Sequence, residues 1–253
     1  MKKQTQKTKS IALMGILSAI ILLMSFTPIG YLHLGTIEIS LLMIPVALGA
    51  IALGPVAGAF LGALFGLTSF IQCFGSSPFG AFMLDLNPIL TFFMCFIPRI
   101  LAGFCTGLVA QAFKSARAKT AKKGKAFNTV FGVSTHAITG LLAAGFNTLF
   151  FMSALLLFCW NNQKFIDQMS EWGMPINNIM KFFIAFVGIN CVFELIATCV
   201  FCGAIGTALE KANLISFDKK SAKDTSDDEH VLMGDVACPV EINEETAETV
   251  SEQ

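Results

Sequence analysis

From Leu41 to Leu84 the chain carries no Asp, Glu, Lys or Arg, and from Ile11 to Ser25 it again carries none. A helix needs roughly 20 mostly apolar residues to cross the hydrocarbon core of a bilayer. Inside lipid the backbone must satisfy its own hydrogen bonds, so apolar runs of this length should be helices. The two-residue alternation of an outer-membrane barrel is absent from these runs. Only 13% of residues are charged, against about 25% in an ordinary soluble domain. The class that follows is an all-α membrane protein.

The formal net charge of zero averages two unlike regions. Residues 1–209 hold 13 Lys/Arg and 5 Asp/Glu, whereas 210–253 hold 4 basic and 12 acidic residues. Residues 1–209 therefore read as a basic membrane domain. Residues 210–253 read as a polar, acidic cytoplasmic tail, too poor in apolar residues to bury a core and expected to be disordered.

Breaks between the apolar runs predict six helices, at about 8–27, 39–53, 55–72, 89–113, 127–159 and 179–209. Lys2, Lys3, Lys7 and Lys9 precede the first run as they would in a signal peptide, but no small-x-small cleavage site follows, so the helix is read as retained. Gly54-Pro55 separates the second helix from the third, with Pro suited to a helix start. Residues 28–38, 73–88 and 161–178 are read as loops. Basic residues gather at the N-terminus, in Lys114, Arg117, Lys119, Lys122, Lys123 and Lys125, and at the start of the tail. The loops on the other side contain Lys164 alone. The positive-inside rule then places both termini in the cytoplasm of a multi-pass protein in the cell membrane.

Motifs for soluble chemistry are missing. The sequence has no G-x-x-x-x-G-K-[ST] for nucleotide phosphates, no H-E-x-x-H and no G-x-S-x-G. His33, His136 and His230 are far apart, and Cys199-x-x-Cys202 lies in an apolar helix where cysteines act as small hydrophobes. Nothing calls for a cofactor, a metal or a nucleic acid.

What remains is a small set of polar groups at membrane depth. Arg99 is deep in the fourth helix and Glu194 about as deep in the sixth, with Asn190 one turn away on the same face. A charge there costs at least roughly 2.5–3.5 kcal/mol unless it has a partner or a wet cavity. One reading pairs Arg99 with Glu194 to hold two helices in register. The other has Arg99 gripping an anionic substrate group, for which a guanidinium is well shaped. Asn87, Thr91 and Asn147 lie in the outer halves of their helices and are pocket candidates or interhelical glue. Gly15-x-x-x-Ala19 on the first helix would let another helix approach closely, and Gly49, Gly54, Gly58, Gly62 and Gly66 form ladders suited to packing the bundle itself.

Three runs carry a resemblance: Phe26-Thr-Pro-Ile-Gly30 with Met43 to Pro55, then Gly58 to Ser69, then Cys95-Phe-Ile-Pro-Arg99 with Asn190-x-x-x-Glu194. Together they are similar to the substrate-binding S-components of energy-coupling factor (ECF) vitamin importers, in particular the pantothenate-type branch, over about residues 8–209. The resemblance implies a binding subunit rather than an enzyme, with its vitamin site near the outer face. It also implies a membrane coupling (T) protein and two cytoplasmic ATPases as partners, with Gly15 and Ala19 where the coupling protein docks. By the same resemblance the S-component topples in the bilayer during import. Ser134-Thr-His136 stands where close relatives have an Asn, and the acidic tail is not part of the pattern. Another vitamin, such as riboflavin or folate, stays open, as does a polytopic membrane enzyme or sensor built on Glu194 and His136.

Overall fold

A computed structural model describes residues 2–27, 30–34, 37–75, 77–120, 125–175 and 178–212, with the side chains of 2–7, 31–39, 118–120, 125–129 and several positions between 179 and 190 excepted. The expected acidic tail lies outside the described residues from 213 onward. The elements are α1 (Lys2–Ser25), β1 (Tyr31–Leu34), β2 (Ile37–Ser40), α2 (Met43–Leu53), α3 (Pro55–Gln72), α4 (Pro78–Leu86), α5 (Pro88–Thr120), α6 (Lys125–Cys159), α7 (Gln163–Glu171) and α8 (Ile179–Lys211).

Helices at Thr8–Ser25, Pro55–Gln72, Pro88–Arg117, Val130–Cys159 and Cys191–Lys211 are long and apolar enough to cross a membrane. Their exposure is the reverse of a soluble protein's. Leu157, Ile11 and Leu23 are 79%, 73% and 68% exposed, while Thr106 and Thr198 are wholly buried. Apolar side chains outside and hydroxyls inside suit a molecule whose solvent is lipid.

The second expected helix is shorter than its sequence suggests. Residues 37–40 pair with 31–34 in an antiparallel hairpin, Tyr31 opposite Ser40, and α2 starts only at Met43. This amends the all-helical expectation by one small sheet. The 11 residues of α2 rise about 16 Å, roughly half the hydrocarbon thickness. Nine of them, Met43 to Ile51, are buried. A helix apolar all round is one packed on all sides, and α2 touches α1, α3, α5, α6 and α8. Gly54 ends it with φ +100°, a region that favours glycine. Pro55 then opens α3 without giving up a helical hydrogen bond.

Successive turns of α3 and α5 meet through backbone. A Cβ on Gly58 would collide with the Gly103 carbonyl, one on Gly62 with the Arg99 carbonyl, and one on Gly66 would stand 2.9 Å from the Cys95 carbonyl. A Cβ on Gly107 would strike Pro55. Ascending positions on one helix meet descending positions on the other, so the pair is antiparallel, with contacts recurring every three or four residues. This is the small-residue packing expected of membrane helices. The predicted glycine ladder does serve the bundle. α6 and α8 also pack closely, where Gly140 faces the Thr198 carbonyl and Cys202, Gly203 faces Ala137 and Gly206 faces His136.

α1 buries Leu13, Leu17, Ile21 and Ser25, one residue per turn, against α2 and α3. The Ser25 hydroxyl lies 3.0 Å from that of Thr68 in α3. Gly15 and Ala19 fall on the other face and are exposed. Two segments expected to be loops contain short helices. Ser77 caps α4 by accepting from the Gly80 N–H at 3.1 Å, and Asn162 caps α7 by accepting from Lys164 and Phe165. Phe165 and Met169 turn one face of α7 into the interior. Both helices sit at the hairpin end of the bundle, and α5 finishes at the opposite, basic end.

Gly62→Leu is expected to destabilise the fold by about 1–3 kcal/mol or more, the scale of overpacking. Gly15→Ala should be neutral, since nothing lies within 4 Å of its Cβ position. Thermal unfolding in detergent would distinguish the two.

Candidate functional site

Within α5, Pro98 has no backbone N–H, so the carbonyl of Met94 four residues earlier loses its usual helical donor. Arg99 Nη1 donates to that carbonyl at 2.9 Å. The side chain therefore folds back toward the hairpin end of its own helix. There the guanidinium carbon stands 4.8 Å from the ring centre of Phe151 in α6 and 5.5 Å from that of Phe65 in α3. Cation–π contacts of this kind are worth about 2 kcal/mol when desolvated, and they hold the cation without neutralising it. Arg99 Nε is buried and has no hydrogen-bond partner among the described residues.

Asn147 lies one turn from Phe151 along α6, so both face the same side. Its Nδ2 donates to Glu194 Oε1 in α8 at 3.2 Å. Asn147 is 7% exposed and Glu194 4%. Asn147 Oδ1, like Arg99 Nε, is buried without a partner. Arg99 makes no ion pair with Glu194 among the described residues. Contact with Glu194 goes instead to the Asn147 amide. The ion-pair reading of these two residues is therefore replaced by two separately held side chains. One buried donor and one buried acceptor remain unmatched between them, and unmatched buried polar atoms are rare enough to call for a reason.

The other candidates are placed differently. Asn87 is exposed and caps α5, its Oδ1 accepting from the N–H groups of Ile89 and Leu90 at 3.1 and 3.2 Å. The Thr91 hydroxyl is buried and donates toward the carbonyls of Met83 (2.6 Å) and Asn87 (2.9 Å), tying α4 to α5. Asn190 lies on α8, but its side chain is outside the described residues. Phe65 and Phe151, which complete the Arg99 clamp, are not singled out by the sequence pattern. Phe151 does follow Asn147 by four residues, which is the one signal that could have found it. Over the site, Phe79 of α4 contacts both Phe151 and Trp172, with ring centres 6.5 and 6.4 Å apart.

At the basic end a second charged group forms. Arg117 of α5 grips Glu210 of α8 with both terminal nitrogens, at 2.9 and 2.7 Å. His136 Nε2 of α6 lies 3.2 Å from the same carboxylate. His136 thus joins a three-helix tie far from Glu194. The expected boundary at 209 separates Glu210 from the helix to which it belongs, since α8 runs to Lys211.

Asn147→Leu should leave the Glu194 carboxylate buried without its donor, at a cost of about 1–3 kcal/mol. Glu194→Gln keeps an acceptor for Asn147 and should cost less. The order of the two unfolding temperatures in detergent checks this.

Comparison with known proteins bears on the family. Residues 9–203 match the family model described as the substrate-specific component of ECF transporters. A curated relative from Leuconostoc mesenteroides subsp. mesenteroides, the pantothenate transporter PanT, is 29% identical over 211 residues, covering 80% of this chain and 93% of that protein. The match covers most of the chain, and the chain belongs to the ECF transporter substrate-specific component family.

Proposed function

We propose that the chain is the pantothenate-binding subunit of an ATP-driven importer. The observation that carries this reading is that Arg99 Nε and Asn147 Oδ1 are both buried with no hydrogen-bond partner among the described residues. The donor suits a carboxylate. The acceptor suits a hydroxyl or amide N–H, and pantothenate carries all three groups. Glu194 completes the polar wall from α8, with Asn87 and Thr91 holding the hairpin-end start of α5 in place. The relative from Leuconostoc supports the choice of vitamin.

In this reading the chain crosses the membrane six times with both termini in the cytoplasm, α2 crossing as a short helix wrapped by the others. The hairpin, α4 and α7 then face outward over the site, and the Arg117–Glu210–His136 tie lies at the cytoplasmic end. The sequence holds no phosphate-binding loop of its own, so energy comes from partners: a coupling protein in the membrane and two ATPases. The exposed Gly15 and Ala19 face of α1 is where the coupling protein docks.

Two experiments test this. Detergent-purified protein should release pantothenate on denaturation, identified by mass spectrometry, and Arg99→Ala should lose it while remaining folded. Recovery of riboflavin or folate would move the chain to another vitamin, and a lone chain turning over a lipid would overturn the transport reading. Separately, Gly15→Leu should abolish copurification with the coupling protein and ATPases and leave vitamin affinity unchanged.

A further inference from the structure

We propose that Pro98 is a positioning residue for ligand recognition: it withholds a helical N–H so that the Met94 carbonyl can hold Arg99 Nη1 and leave the other edge of the guanidinium for a carboxylate. This rests on the pantothenate reading above. Three observations meet here. Met94 is the residue whose carbonyl an N–H at position 98 would bond, and proline has none. Among the described residues that carbonyl is the one hydrogen-bond acceptor on the Arg99 guanidinium. The rings of Phe151 and Phe65 limit its rotation, and Nε on the edge away from Nη1 is buried and unmatched.

Helix geometry gives the proline a cost and the arginine a direction. A proline inside a helix removes a hydrogen bond and destabilises the helix, so a proline at this depth calls for a compensating role. An arginine on an unbroken helix would meet carbonyls already engaged by their own i+4 donors. Here the neighbouring residue frees one, and the charge-assisted bond to it turns the side chain along the helix toward the hairpin end. A guanidinium anchored at Nη1 presents Nε and Nη2 side by side, the edge that receives a carboxylate bidentately. The backbone beneath is held as well, because the Arg99 carbonyl lies directly against Gly62 across the α3–α5 seam. Anchoring is thus complete on the side that faces the helix and open on the side that faces the ligand.

The test is calorimetric titration of the full chain in detergent with pantothenate and with its alcohol analogue, in which a CH2OH group replaces the carboxylate. Pro98→Ala restores the N–H, re-engages Met94 and releases Nη1. It should weaken pantothenate binding about tenfold or more, the scale of one charge-assisted hydrogen bond. Binding of the alcohol should be unchanged, and unfolding temperature equal or higher. In an Arg99→Ala background the proline change should have no further effect on pantothenate. Pro98→Ser restores the same N–H and carries the same expectation if the alanine variant does not accumulate. Wild-type affinity for pantothenate in Pro98→Ala overturns the proposal, as does equal loss of acid and alcohol. If Arg99→Ala itself binds normally, the ligand reading of Arg99 falls, and the role of Pro98 with it. If Arg99→Ala loses binding but Pro98→Ala does not, the role of Pro98 alone is refuted.

Discussion

The backbone contact between α3 and α5 sets where everything else in the site can be. Gly58, Gly62 and Gly66 have no side chains to hold the helices apart, so the carbonyls of Gly103, Arg99 and Cys95 come against them. A seam of this closeness leaves little freedom for α5 to slide or turn. Arg99 is part of the seam through its carbonyl and part of the site through its guanidinium. Because the same seam carries Phe65 on α3, between Gly62 and Gly66, it also brings a ring against the cation. Packing of the smallest residues thereby positions the most polar one.

Each charge described inside the helical body is held by a different device, and the differences suit their places. Arg99 is held by two rings and a carbonyl that a proline has freed, which leaves its charge available. Glu194 is held by the Asn147 amide, a neutral donor. Arg117 and Glu210, by contrast, neutralise each other directly at the basic end. Buried ion pairs add little to stability relative to apolar packing but are costly to break. Direct pairing therefore suits a structural tie, and indirect holding suits a place where a charged ligand must find a partner.

Much of this was legible in the sequence, and the rest was hidden for identifiable reasons. Long charge-free runs gave the helical class and the start of α3 at Pro55, and spacing of four gave the glycine ladder its packing role. Arg99 and Glu194 stood out because charge is scarce in an apolar run. Phe65 and Phe151 did not, because 25 phenylalanines leave no single one conspicuous. α4 and α7 each span 9 residues, too few for periodicity to speak, although the capping residues Ser77 and Asn162 marked their starts. The hairpin over 31–40 falls partly in an expected loop and partly in an expected helix, since four-residue strands carry almost no pattern. Asn87 before Pro88 carried a capping signal in plain view, because Asn is a favoured N-cap.

The central claim is that the Arg99 guanidinium, anchored on its own helix and unmatched at Nε, meets the carboxylate of pantothenate. An experimental structure of the chain with pantothenate bound tests this most directly. The account predicts the carboxylate within hydrogen-bond distance of Arg99 Nε, with Nη1 still on the Met94 carbonyl and a ligand hydroxyl or amide donating to Asn147 Oδ1. A vitamin bound elsewhere, or bound here with its carboxylate turned away from Arg99, would contradict it.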